Sequence, residues 1–98
     1  MLFSHFIDGA LTTSSTTESW TNYNPANNNP LGEVCQANGQ DIEEAVSSSE
    51  KAFHIWHIKT GAERGRVLLK AAHILRSRLE KIAFLETQDV GKPISESL

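Results

Sequence analysis

Apolar positions change their period once along the chain. Up to residue 37 the apolar residues come in short runs at Phe3 to Ile7, Trp20 to Tyr23 and Leu31 to Gln36, each rich in aromatic or branched side chains and bounded by turn formers. These runs predict three short strands within about 3–36. The stretches between them, TTSSTTES at 12–19 and NPANNNP at 24–30, are made of residues whose side chains hydrogen-bond their own backbone, and they read as connections. Asp8-Gly9 reads as the stop of the first strand.

From residue 38 the spacing becomes helical. Ile42, Ala45, Val46, Ser49, Ala52, Phe53 and Trp56 recur at i, i+3, i+4, which predicts an amphipathic helix over 39–57. Asn38 is its N-cap, and Asp41 suits the positive end of the helix dipole. Thr60-Gly61-Ala62-Glu63 is a capping box, so a second helix runs over 61–77, with Val67, Leu68, Ala71, Ala72, Ile74 and Leu75 on its apolar face. The pattern continues through Leu79, Ile82, Ala83 and Leu85. Ser77-Arg78-Leu79-Glu80 offers another capping box and predicts a break, with a third helix over 78–90. Gly91 supplies a left-handed stop and Pro93 blocks continuation. Ile94 to Leu98 looks like the entry to a further helix. The fold class is α/β: hairpin-like strands followed by three amphipathic helices.

Composition and charge mainly exclude. The 98 residues carry 9 basic and 12 acidic side chains, a formal net charge of -3. That balance leaves no basic footprint for nucleic acid or an anionic membrane. Only Asp8, Glu18 and Glu33 are charged before residue 41, so the two halves differ in character. No run reaches the roughly 20 apolar residues of a membrane span, and the first residues lack a basic, cleavable leader. Cys35 is the only cysteine and cannot form an internal disulfide, which suits a reducing, cytoplasmic setting.

The residues themselves offer no catalytic constellation. Cys35 sits in a strand with no base or cation beside it, and reads as a buried structural thiol rather than a nucleophile. His54 and His57 are three apart on a helix but lack a third ligand motif, and read as surface histidines. Gly61, Gly65 and Gly91 fit neither a dinucleotide nor a phosphate-loop pattern. Glu43, Glu44 and Glu50 read as a solvated helix face, since paired carboxylates need a pocket to do acid/base work.

The order of motifs says more than any one of them. FIDG (6–9), YNPAN (23–27), LGEV (31–34), DIEEAV (41–46), AFHIWH (52–57), ERGRVLLKAAHILRSR (63–78) and LEKIAFLETQDVGKPISES (79–97) together resemble the N-terminal part of the aldehyde dehydrogenase superfamily. ETQDVGKPISES and RGRVLLKAA look closest to betaine aldehyde dehydrogenases and related aminoaldehyde enzymes. The resemblance implies an enzyme several times longer than this chain, which oxidises an aldehyde to a carboxylic acid with NAD or NADP. A cysteine thiolate there attacks the aldehyde, a backbone N–H and an asparagine amide stabilise the oxyanion, and a glutamate activates the deacylating water. All of these, and the cofactor site, would lie beyond the matched segment, so no catalytic or cofactor-binding residue is assigned within 1–98. Cys35 falls in the third strand's region and is not the nucleophile.

By the same resemblance the 98 residues are not a complete domain. Their partners would be the remainder of the dehydrogenase chain and, in the parent, further copies of it in a homo-oligomer, with Phe53, Trp56 and Leu75 as interface core. Some betaine aldehyde dehydrogenases hold a structural K⁺ or Na⁺ on backbone oxygens just before NPA and on the aspartate of a D-x-G-K stretch. Those positions are Asn22, Tyr23 and Asp89 here, and the donors suit a hard cation. Two local departures stand out: Asn27-Asn28-Asn29 replaces the family's glycine after NPA, and Ala10-Leu11 replaces a tryptophan after FIDG. Asparagine tolerates the left-handed region, so the turn is expected to survive. The competing reading is a stand-alone helical interaction module, favoured by good capping at the helix starts.

Overall fold

The computed structural model describes residues 2–13 and 18–98. Strands come first: β1 (Leu2–Phe3), β2 (His5–Ile7), β3 (Ala10–Thr12), β4 (Ser19–Tyr23) and β5 (Pro30–Cys35). Four helices follow: α1 (Gly39–Trp56), α2 (Gly61–Ser77), α3 (Leu79–Val90) and the single turn α4 (Ile94–Ser97). The expected order of strands then helices is what the chain adopts. The middle of the serine and threonine connection at 12–19 lies outside the described residues, while its ends, Thr12 and Ser19, belong to strands.

Two features of the strand region differ from the sequence expectation. The first run divides at Ser4, because β1 and β2 join different sheets. β1 pairs in parallel with β5, Leu2 opposite Glu33 and Phe3 opposite Val34, in a sheet of order β1-β5-β4. β2 pairs antiparallel with β3, Ile7 opposite Ala10 and His5 opposite Thr12. Asp8-Gly9 therefore turns the chain back on itself instead of ending a strand. Both residues take positive φ, 53° at Asp8 and 75° at Gly9, as a two-residue hairpin turn of the twist-matching kind requires.

The chain forms two compact units, 1–22 with 32–58, and 23–31 with 59–98. In the first, α1 starts on a complete capping box. The Asp41 N–H donates to Asn38 Oδ1 at 2.9 Å, and the Asn38 N–H donates to Asp41 Oδ2 at 2.8 Å. The β2–β3 hairpin meets this helix: His5 Nε2 lies 3.9 Å from Asp41 Oδ2, and the Ser48 hydroxyl reaches Asp8 Oδ1 at 3.4 Å. In the second unit, Thr60 and Glu63 cap α2 in the same reciprocal way, at 3.2 and 2.8 Å.

The break between α2 and α3 falls where expected, but its mechanism differs. Ser77 stays inside α2 and donates its hydroxyl back to the Ile74 carbonyl at 2.7 Å, so it caps nothing. Arg78 is the shared junction, with φ -117° and ψ 14° and no side-chain cap on α3. Gly91 closes α3 in the left-handed region, φ 79°, its N–H donating to the Thr87 carbonyl at 2.9 Å.

Burial is where the apolar pattern and the structure part. Among the described residues only Cys35, at 8% exposure, and Ala83, at 1%, are fully buried apolar side chains. The apolar faces of the helices are present as predicted, yet Phe53 is 60% and Leu68 63% exposed, and α1 and α2 bury no residue completely. Trp56 is half-buried.

Candidate functional site

The NPA turn is built by its own asparagines. The Ala26 N–H donates to Asn24 Oδ1 and the Asn29 N–H to Asn27 Oδ1, both at 2.9 Å, while the Asn28 N–H reaches the Asn24 carbonyl at 2.7 Å. Asn28 takes the left-handed conformation, φ 58°, so asparagine does here what glycine does elsewhere. Further hydrogen bonds close β4 and β5 at both ends, Asn24 N–H to Asn29 carbonyl at 2.8 Å and Gln36 N–H to Glu18 carbonyl at 3.0 Å.

Pro25 packs directly on Gly91. A Cβ built at Gly91 would stand 2.8 Å from Pro25 Cγ, inside any tolerable contact, so the NPA turn and the end of α3 can approach only because residue 91 has no side chain. Lys92 Nζ, just past that stop, pairs with Glu86 Oε1 at 2.7 Å.

The positions matched to a cation site are distributed as follows. Asn22 and Tyr23 are the last two residues of β4, Asn22 half-buried and Tyr23 exposed; Asp89 is the penultimate residue of α3 and exposed. Asn22 and Asp89 are each engaged in further interactions. Main-chain carbonyls with a carboxylate are the donor class a hard monovalent or divalent cation takes. Among the described residues, no cluster of three histidine, cysteine, aspartate or glutamate side chains could hold a metal.

β5, α1 and the C-cap of α1 carry the other chemically capable side chains. Cys35 ends β5, buried, its thiol 3.8 Å from the Gln36 carbonyl. His57 stacks on Phe53 with ring centroids 4.9 Å apart, and its Nδ1 lies 2.8 Å from the Phe53 carbonyl; the His54 and His57 rings are 6.2 Å apart, edge to face. Glu43 and Glu44 border an open groove with Ile7, Asp8 and Lys51, and both are exposed.

Two carboxyls are held below their ordinary range. Glu33 accepts the Thr21 hydroxyl at 2.6 Å and the Ser19 hydroxyl at 3.0 Å, and these bonds favour its charged form. Glu63 is lowered chiefly by the Thr60 backbone N–H that completes the α2 box. Sequence reasoning missed the Glu33 cluster. Its signal was available: hydroxyls at 19 and 21 alternate onto one face of a strand, opposite an acidic residue.

Short paired strands followed by amphipathic helices make this chain a small α/β arrangement. The chain belongs to the aldehyde dehydrogenase family, whose model matches residues 11–98. Solved structures agree closely. PnpE, in a complex with nicotinamide adenine dinucleotide, is 30% identical and superposes with a TM-score of 0.92, over 99% of this chain and 20% of that one. An NAD-dependent aldehyde dehydrogenase from Sinorhizobium meliloti is 28% identical, TM-score 0.92, with the same coverage. The NAD⁺ complex of aldehyde dehydrogenase from Bacillus cereus is 35% identical over 95% of this chain and 19% of that chain, TM-score 0.88. This chain thus spans about one fifth of the length of the structures it matches. No described helix is long and apolar enough to cross a membrane.

Proposed function

We propose that these 98 residues serve as the N-terminal segment of an NAD(P)-dependent aldehyde dehydrogenase of the betaine-aldehyde type, oxidising an aldehyde to its acid. The observation that carries the reading is the family match over most of the chain combined with apolar helix faces left open on α1, α2 and α3. Faces of that kind stabilise a fold only when something apolar covers them. The remainder of a dehydrogenase chain is the natural cover. The NAD-bearing neighbours favour a dinucleotide cofactor, and no residue of this chain is assigned to it. Betaine-type specificity rests on ETQDVGKPISES at 86–97 and RGRVLLKAA at 64–72.

Within that reading the segment contributes architecture and no catalytic group. It also lends carbonyl oxygens of Asn22 and Tyr23 and the Asp89 carboxylate to a structural K⁺ or Na⁺, completed by groups from elsewhere in the enzyme. The enzyme is cytoplasmic and homo-oligomeric. Assaying the purified chain with NAD⁺ and betaine aldehyde tests the first claim: no turnover is expected, and turnover above a blank overturns it. Supplying the rest of a betaine aldehyde dehydrogenase in trans should restore turnover where the rest of an aldehyde dehydrogenase of another type does not, and equal restoration by both would remove the subfamily assignment.

The complete capping boxes at Asn38 and Thr60 favour a second reading, a self-standing interaction module. A discrete oligomer with a sharp near-UV circular dichroism spectrum would support it. Association with mobile tryptophans supports the dehydrogenase segment.

A further inference from the structure

Asn38 is followed by Gly39, and an asparagine before a glycine carries chemistry of its own. The Gly39 main-chain nitrogen is one ring closure away from Cγ of Asn38. Gly39 has no side chain to hinder that approach: it is exposed, and a Cβ added there would meet nothing within 4 Å beyond its chain neighbours and the helix's own backbone. In the folded chain the α1 cap holds the reaction off. Asn38 Oδ1 is tied to the Asp41 N–H and the Asn38 N–H to Asp41 Oδ2, with the backbone extended at φ -108° and ψ 179°. Closing a five-membered ring requires the Gly39 nitrogen to swing to the side of Cβ. The extended ψ must therefore change, and the bond to Oδ1 must break first.

We propose that Asn38-Gly39 is a succinimide-forming modification site gated by the α1 capping box, and that its isoaspartyl product uncaps the helix. The Gly39 nitrogen gives its proton to hydroxide and attacks Cγ; the N–Cγ bond forms, the Cγ–Nδ2 bond breaks, and the amide nitrogen takes a proton from water to leave as ammonia, which restores the hydroxide. Water then opens the ring. Opening at Cγ leaves an aspartate, which caps a helix about as well as asparagine. Opening at the main-chain carbonyl leaves isoaspartate, whose backbone runs through Cβ and gains a methylene, so it no longer presents an oxygen to the Asp41 N–H. The consequence reaches β2, because the carboxylate that closes the box is also the one 3.9 Å from His5 Nε2.

The test follows conversion at residue 38 by peptide mapping during incubation of the chain at mildly alkaline pH, with isoaspartate scored by enzymatic methylation. Asp41→Ala, which opens the box, should convert several-fold faster than the unmodified sequence. Urea should accelerate the unmodified chain to the same extent, and Gly39→Ala should slow conversion several-fold even in urea. Thr60→Ala, which breaks the α2 box and leaves Asn38 untouched, should not change the rate. Equal rates in the folded chain, in Asp41→Ala and in urea would overturn the gating, as would an equal acceleration by Thr60→Ala. Unchanged conversion in Gly39→Ala would overturn the site itself.

Discussion

Replacing Gly91 by alanine should destabilise the second unit sharply, while the same replacement at Gly65 should stabilise it. At Gly91 two costs act together. The backbone stands at φ 79°, where a Cβ crowds the following carbonyl, and the new methyl would lie 2.8 Å from Pro25 Cγ. Pyrrolidine carbons cannot rotate away, so the turn at 25–27 or the end of α3 must shift. The left-handed strain contributes about 1 to 2 kcal/mol and the overpacking about 1 to 3 kcal/mol, a combined loss of about 2 to 5 kcal/mol. Gly65 lies inside α2, and a Cβ there meets nothing within 4 Å. Alanine at that point should gain about 0.5 to 1 kcal/mol from reduced backbone freedom in the unfolded chain. The assay is a urea titration of far-UV circular dichroism on the two variants and the unmodified chain. With a slope of about 1 to 3 kcal/mol per molar urea, Gly91→Ala should lower the midpoint by on the order of 1 M, and Gly65→Ala should raise it by a fraction of that. Equal midpoints for Gly91→Ala and the unmodified chain would refute the claim that Pro25 and the left-handed stop jointly require glycine.

Four other expectations can be checked on the same material. Thr60→Ala removes the side-chain half of the α2 cap and should cost about 1 kcal/mol, read from the same titration. Because Glu63 titrates below its ordinary value of 4.5 in the folded chain, its contribution is present above that value and fades as pH falls through the lowered one. Glu63→Gln should therefore flatten the acid limb of α2 helicity, and an unchanged acid limb would rule the linkage out. Glu33 obeys the same sign through its Thr21 and Ser19 hydroxyls, so Thr21→Val should return its titration, followed by carboxyl NMR shifts, toward the ordinary range. Phe53→Ala removes a ring that is 60% exposed and should change stability by less than about 1 kcal/mol in this chain, far below the roughly 3 to 5 kcal/mol of a core phenylalanine. A core-sized loss would mean that the α1 face is already covered.

What the sequence disclosed depended on how many residues each feature needs. The caps at Asn38 and Thr60 and the stop at Gly91 are encoded within four or five neighbours, and each forms as the local pattern implies. Ser77 shows the limit of that logic. A serine three residues before a glutamate has two uses for its hydroxyl, and with α2 still helical through residue 77 the Ile74 carbonyl takes it. Asp8-Gly9 carried the hairpin signal in full, but Ala10 to Thr12 is too short to read as a strand until β2 lies beside it. Parallel pairing of β1 with β5 was not legible at all, since nothing in Leu2-Phe3 names Glu33-Val34 as its partner. The same division runs through the candidate site. Asn27 to Asn29 foretold a left-handed residue in the turn, and Asn28 supplies it, whereas the contact of Pro25 with Gly91 joins positions 66 residues apart and is visible only when folded. The helix faces complete the argument. Periodicity located them correctly and then implied a core, because an apolar stripe predicts burial without saying what buries it. Their exposure is therefore the observation on which the proposed remainder of the enzyme rests, since Phe53, Leu68 and Leu75 stand open in this chain.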